Sequence, residues 1–201
     1  MDRLIEVDNR IETWRKVDSN SWSELAEHIR ITNELKREKN QLVEKIINEK
    51  DYTCLENYFL EKVKTPSNEI CYVIVPVWKI IIEEGCLQLI KFVENHKMLN
   101  FMLSRTDVTR NVLSALNKGF EDVFLHCIKY LKTEEILENA VLFRFSNALK
   151  YLLEHEYVAK SNAIDIAVSN TLYGIDNGCL DLLVKDNRYK MSLLICRSIL
   201  N

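Results

Sequence analysis

An all-α fold is what this sequence predicts, and three observations carry the prediction. The 201 residues include only 4 Gly and 2 Pro. Average usage would supply roughly two dozen, and a sandwich or barrel needs them for its many turns. Apolar residues recur at the 3.6-residue period of a helix along most of the chain. A helix start is also written out at Ser21-Trp22-Ser23-Glu24, where the serine can cap the Glu24 amide and the glutamate can reach back. With 47% hydrophobic and 28% charged residues, the chain can bury a core without crosslinks.

Taken in order, residues 2–17 carry Leu4, Ile5, Ile11 and Trp14 at helical spacing. A longer helix is expected over about 22–48, with Trp22, Leu25, Ala26, Ile29, Leu35, Leu42, Val43 and Ile46 near one face. Its middle is polar. There Lys36-Arg37-Glu38-Lys39, flanked by Glu34 and Glu44, reads as a solvated face supported by i,i+4 charge pairs. Another helix is expected from Asp51 to Val63, with Leu55, Tyr58, Phe59 and Leu60 on its apolar side. Lys64-Thr65-Pro66-Ser67-Asn68 reads as a loop. It divides an N-terminal helical region, 1–65, from a second region, 70–201.

That second region repeats. Gly85-Cys86-Leu87-Gln88-Leu89-Ile90 returns as Gly178-Cys179-Leu180-Asp181-Leu182-Leu183, and Gly119-Phe120-Glu121-Asp122-Val123-Phe124 lies between them. Ser146-Asn147-Ala148-Leu149 is a further copy without the glycine. Each follows a short helical stretch: Val77–Glu84, Arg110–Lys118, Ile136–Phe143 and Ala163–Asn170. This pattern resembles the ankyrin repeat, in its degenerate form encoded by large and giant DNA viruses. The resemblance implies an all-α, ankyrin-like stack of helix-turn-helix repeats, with the first region as an N-terminal helical extension. It implies that Gly85, Gly119 and Gly178 end first helices in a left-handed conformation. Ala115, Ala140 and Ala167 would be the small residues between paired helices. Thr171 to Asn177 reads as an insertion of about seven residues.

The function implied by the resemblance is that of a protein–protein interaction module. Its surface would be made of first helices and turns, with Arg105, Asp107, Arg110, Asn111, Lys118, Asn162, Asp165 and Tyr189 facing a protein partner. The alternative is a structural or assembly protein that self-associates through its N-terminal helices. Trp78 and Phe92 are read as core residues.

The remaining classes find little in the sequence. Lys+Arg 27 against Asp+Glu 30 leaves a net charge of −3, without the basic excess that phosphate neutralisation requires of a nucleic-acid binder. No apolar run reaches the length of a membrane span. Acidic residues at 2, 6 and 8 do not suit a secretory leader, so an intracellular, cytoplasmic location is expected. The six cysteines form no Cys-x-x-Cys pair and read as buried free thiols. The four histidines are widely spaced, so no metal site and no cofactor is expected. Neither a phosphate-binding loop nor a nucleophile motif is present, so no enzyme activity is expected.

Overall fold

The computed structural model describes residues 1–16, 21–63, 67–96, 108–132, 135–157, 162–175 and 177–189; for Arg15, Val63 and positions 67–74 it describes the backbone alone. Among these residues there are eleven α-helices and two short 3-10 turns, and no strand. They belong to two compact units, Met1–Thr106 and Asp107–Asn201.

The first unit contains α1 (Asp2–Arg15), α2 (Trp22–Asn48), α3 (Tyr52–Val63), α4 (Ser67–Glu83) and α5 (Leu87–Asn95). The serine cap expected at Ser21 is there, with the Glu24 amide donating to the Ser21 hydroxyl at 3.2 Å. α1 lies against α2, where Val7, Ile11 and Leu35 form a buried cluster joined by Trp14, Ile31 and Leu42. Arg3 and Arg10 of α1 reach Glu38 of α2 at 3.3 and 3.8 Å. α3 and α4 pack on α2 and on each other, and α5 packs on both α3 and α4. Trp78 is buried and Phe92 half-buried.

The second unit is three helix pairs. They are α6 (Val108–Asn117) with α7 (Glu121–Cys127), α8 (Ile136–Leu142) with α9 (Ser146–Glu154), and α10 (Ala163–Leu172) with α11 (Cys179–Lys185). First helices contact first helices in order, α6 to α8 and α8 to α10, while α9 packs on α6, α8 and α11. Hydrogen bonds between neighbouring pairs keep step with this order. The Asn117 carboxamide oxygen caps α9 by accepting from the Asn147 and Ala148 amides at 3.0 and 3.3 Å. Asn170 donates to the Val141 carbonyl at 3.1 Å, and Asn177 to that of Arg144 at 3.4 Å. Arg188 donates to the Leu153 carbonyl at the end of α9, at 2.8 Å. Sequence separations in these bonds run from 29 to 35 residues.

One helix ending recurs throughout. Lys50, Gly85, Gly119, Arg144, Glu156 and Gly174 all have positive φ, between 58° and 94°. Each donates its N–H to the carbonyl three residues back, and the next residue donates to the carbonyl five back, for example Gly119 to Leu116 and Phe120 to Ala115. This Schellman ending satisfies carbonyls a helix would otherwise leave open. The residue after the turn is apolar in five of the six, namely Cys86, Phe120, Phe145, Tyr157 and Ile175. Counted back from the turn, positions eight, seven, four and three are buried: Val77, Trp78, Ile81 and Ile82; Asn111, Val112, Ala115 and Leu116; Ile136, Leu137, Ala140 and Val141.

Several expectations need correction. Gly85 and Gly119 end helices as expected, but the third first helix ends at Gly174, and Gly178 (φ 83°) is the N-cap of α11. Thr171 and Leu172 therefore belong to α10, and the connection to α11 is 173–178. Ala115 and Ala140 share one register position, whereas Ala167 sits three residues earlier in its helix and Asn170 holds the equivalent place. In α2, Trp22 is 87% exposed and Ala26 and Ile29 are exposed too, so none of the three lies on the buried face. Leu60 is exposed as well. Ser67 and Asn68 open α4, and the rest of the expected loop lies outside the described residues. The helices over 67–95, grouped by sequence with the repeats, lie in the first compact unit.

Candidate functional site

The register that buries four positions of α6 and of α8, and two of them (Ala167 and Asn170) in α10, also decides what faces out. Nine residues before the left-handed turn stand Arg110, Glu135 and Asp165, all exposed. Five before it stand Ser114, Asn139 and Ser169, and two before it Asn117, Leu142 and Leu172. Positions nine, five and two back share one helix face, being seven and three residues apart. The outer face of α6, α8 and α10 thus carries a charged row at one end, a small polar row in the middle and an increasingly apolar row at the other. Leu172 and Tyr173 are each 78% exposed, Leu142 is 51%, and Ile175 continues the patch. The bonds of Asn170 to Val141 and Asn177 to Arg144 hold these two helix ends side by side. Solvent-facing apolar side chains gathered in one place, unlike isolated ones, mark surfaces that bind.

The predicted partner-facing residues fall differently on this surface. Arg105 and Asp107 lie outside the described residues. Arg110 is exposed, with its guanidinium over the Phe143 ring at 5.4 Å. Asn162 and Asp165 are exposed at the start of α10, and Lys118 is exposed at the turn after α6. Asn111 is buried, because it occupies the inward position eight residues before Gly119. Tyr189 is buried too, in the 3-10 turn that Arg188 ties to α9. The structure therefore aligns Arg110 and Asp165 in one row, sets Lys118 at the opposite end of its helix, and removes Asn111 and Tyr189 from the face. Glu135, Leu142, Leu172 and Tyr173 were missed. Glu135 and Leu142 are fixed by counting back from Arg144, a left-handed residue the sequence does not mark, and Leu172 and Tyr173 by Gly174 rather than Gly178.

Beside this face lies an open groove of about 330 Å³, between the turn after α6 and helix α9. Lys118, Glu121, Lys150 and Glu154 line it with alternating charge, and Asn117 already occupies the amides at the α9 N-terminus. Lys150 and Glu154 pair along α9 at 3.9 Å. Among the described residues no three His, Cys, Asp or Glu side chains gather as a metal site, and no helix is long and apolar enough to cross a membrane. Cys86, Cys127 and Cys179 are buried and outside any disulfide, whereas Cys54, also outside any disulfide, is half-buried.

No protein family, curated protein or solved structure matches this chain.

A second constellation lies inside the first unit. Asp8 of α1 is fully buried and takes three partners from two other helices. Its Oδ1 meets Nζ of Lys39 at 2.6 Å, and its Oδ2 accepts from the Tyr58 hydroxyl at 2.7 Å and lies 3.4 Å from Nζ of Lys62. Lys39 is 2% exposed, so the reading of residues 36–39 as wholly solvated fails at this position. Burial outweighs the attraction of Asp8 and lowers the Lys39 pKa to about 8. Burial, then the Asp8 charge, raises the Tyr58 hydroxyl well above its ordinary 10.0 and keeps it a donor. One carboxylate so binds α1 to α2 and α3. The cluster is enclosed, and its chemistry is that of a lock.

Proposed function

We propose that the helix pairs between Val108 and Tyr189 form a degenerate ankyrin-type stack that holds another protein against the outer face of its first helices, as a non-catalytic adaptor. Support comes from the helix pairs packed first helix to first helix, and from bonds between pairs that recur every 29 to 35 residues. A unit that cannot cover its own apolar face is stabilised by its neighbour, and the remaining face is free for a ligand. The observation that carries the reading is the exposed apolar end of that face, Leu142, Leu172 and Tyr173, next to a small polar row a partner backbone can approach. Leu172→Asp with Tyr173→Asp places two charges at the centre of the patch without touching the core. A photo-crosslinker at Ser169 should capture a defined protein with the parent chain and lose it with this double variant. One at exposed Lys185 should capture none in either case. Equal capture by parent and variant would reject the face.

The second reading, a structural or assembly protein that self-associates through its N-terminal helices, is favoured by one observation. Trp22 at the start of α2 is the most exposed large apolar side chain among the described residues.

A further inference from the structure

We propose that the occupant of the outer face of α6, α8 and α10 is an amphipathic helix, basic along one edge and apolar along the other, lying across the three first helices. The inference deepens the adaptor reading and rests on it. The direction in which the face changes decides how the occupant lies. Along α8 and α10 the chemistry runs from acidic through small polar to apolar. From one of these helices to the next it repeats, as Glu135 and Asp165, Asn139 and Ser169, Leu142 and Leu172. The bonds of Asn170 to Val141 and of Asn177 to Arg144 keep these levels aligned. A segment that matches the pattern therefore runs along the row, with one edge to the acids and the other to the apolar side chains.

Width selects a helix. The acidic and apolar rows are seven residues apart, about 10.5 Å at 1.5 Å per residue, with the small polar row between them. An α-helix is about 10–12 Å across. An extended chain takes about 4.8 Å beside its neighbour in a sheet and would leave half of that width empty. Packed helices lie about 8–10 Å apart, so neighbouring first helices meet partner residues two turns apart, about 10.8 Å along one helix. Charge sets which edge is basic. The Glu135 and Asp165 carboxylates are exposed and take no ion-pair partner among the described residues. Exposed Lys132 pairs with neither, and the guanidinium of Arg110, the cation of that row, lies over the Phe143 ring. Lys118 and Arg144 are exposed at the turns beyond the apolar row. They stand nine residues or so from the acids, about 13 Å along the helix, more than a Debye length of about 8 Å. A basic edge is thus drawn to the acidic side and opposed on the apolar side.

Fluorescence anisotropy on the full chain tests this with labelled alanine–glutamine peptides of about 20 residues, about 30 Å long as helices. The first carries Lys at i, i+7 and i+14 and Leu at i+1, i+8 and i+15, two stripes about 100° apart. The second has Glu for each Lys, and the third has the composition of the first with Lys and Leu shuffled off the stripes. The parent should bind the first peptide saturably and each of the others about tenfold more weakly. Glu135→Gln with Asp165→Asn should level the first and second peptides, and Glu135→Lys with Asp165→Lys should invert their order, with unchanged helical circular dichroism. Leu172→Asp with Tyr173→Asp should abolish binding of the first. A parent that binds the first peptide no better than the shuffled one, or acid variants that leave the order as it was, overturns the basic helix. The adaptor reading then stands if Ser169 capture still depends on Leu172 and Tyr173, and falls as well if it does not.

Discussion

Replacing Asp8 with Asn removes one charge and almost no volume, and it separates two accounts of the buried cluster. If the carboxylate is the lock between α1, α2 and α3, its loss takes from the ammonium of Lys39, at 2% exposure and 2.6 Å away, the counter-charge of Asp8. Lys62, 8% exposed and 3.4 Å away, loses the same partner. The Tyr58 hydroxyl keeps an acceptor in the Asn oxygen, so the change is electrostatic. Breaking a buried pair on one side costs about 3–5 kcal/mol, about a fifth or more of a typical total stability of about 5–15 kcal/mol. Urea unfolding followed by circular dichroism measures it. Adding Lys39→Met to Asp8→Asn removes the stranded ammonium, so the double variant should recover about 2 kcal/mol or more, a coupling that a double-mutant cycle isolates. The surface pairs of Arg30 with Glu27 and Glu34 have equally short 2.6 Å contacts but exposed side chains. Arg30→Ala should leave the midpoint in place. An Asp8→Asn variant within 1 kcal/mol of the parent, or no recovery on adding Lys39→Met, would refute the lock.

Further expectations concern pH, the helix turns and a helix cap. Because the folded-state pKa of Lys39 is about 8 against an ordinary 10.5, the unfolded chain binds more protons across that window. Stability should therefore climb from pH 8 toward 10, by roughly 3 kcal/mol at most, in the parent relative to Lys39→Met. Above pH 10 the raised Tyr58 pKa acts the other way, and Tyr58→Phe should lessen the fall in denaturation curves taken at each pH. Arg144→Gly and Glu156→Gly relieve a positive φ of 62° and 61°, and each should raise stability by about 0.5–1 kcal/mol after the added freedom of the unfolded chain. Gly119→Ala should cost about 1–2 kcal/mol through backbone conformation alone, since a Cβ there would meet nothing within 4 Å. Asn117→Ala removes the cap on α9 and should lower stability by about 1 kcal/mol in thermal melts.

How far the sequence speaks for itself depends on the range of the interaction. Helix period and the Ser21 cap are local, and α1 to α3 were legible from them almost to the residue. Helix ends were legible where glycine marks the left-handed turn, as at Gly85 and Gly119, and hidden where Lys50, Arg144 or Glu156 takes that conformation. There tertiary packing imposes a φ that a β-carbon opposes. Gly178 misled because two glycines follow α10, and only the hydrogen bonds of Gly174 and Ile175 tell which one ends it. The outward face depended on the same register, so Asn111 was placed outside and Leu172 overlooked. Lys39 was beyond local reading altogether. Its neighbours are solvated, and it is drawn inward by Asp8, 31 positions earlier, and by a tyrosine on a third helix.

The measurement that bears most directly on the helix-pair row is the set of nuclear Overhauser contacts in the second unit of the full chain. A row predicts long-range contacts concentrated at separations near 29 to 35 residues, among them Asn117 with Asn147, Asn170 with Val141 and Arg188 with Leu153. Contacts joining α6 to α10 as densely as α6 to α8, with those three pairs missing, would contradict it.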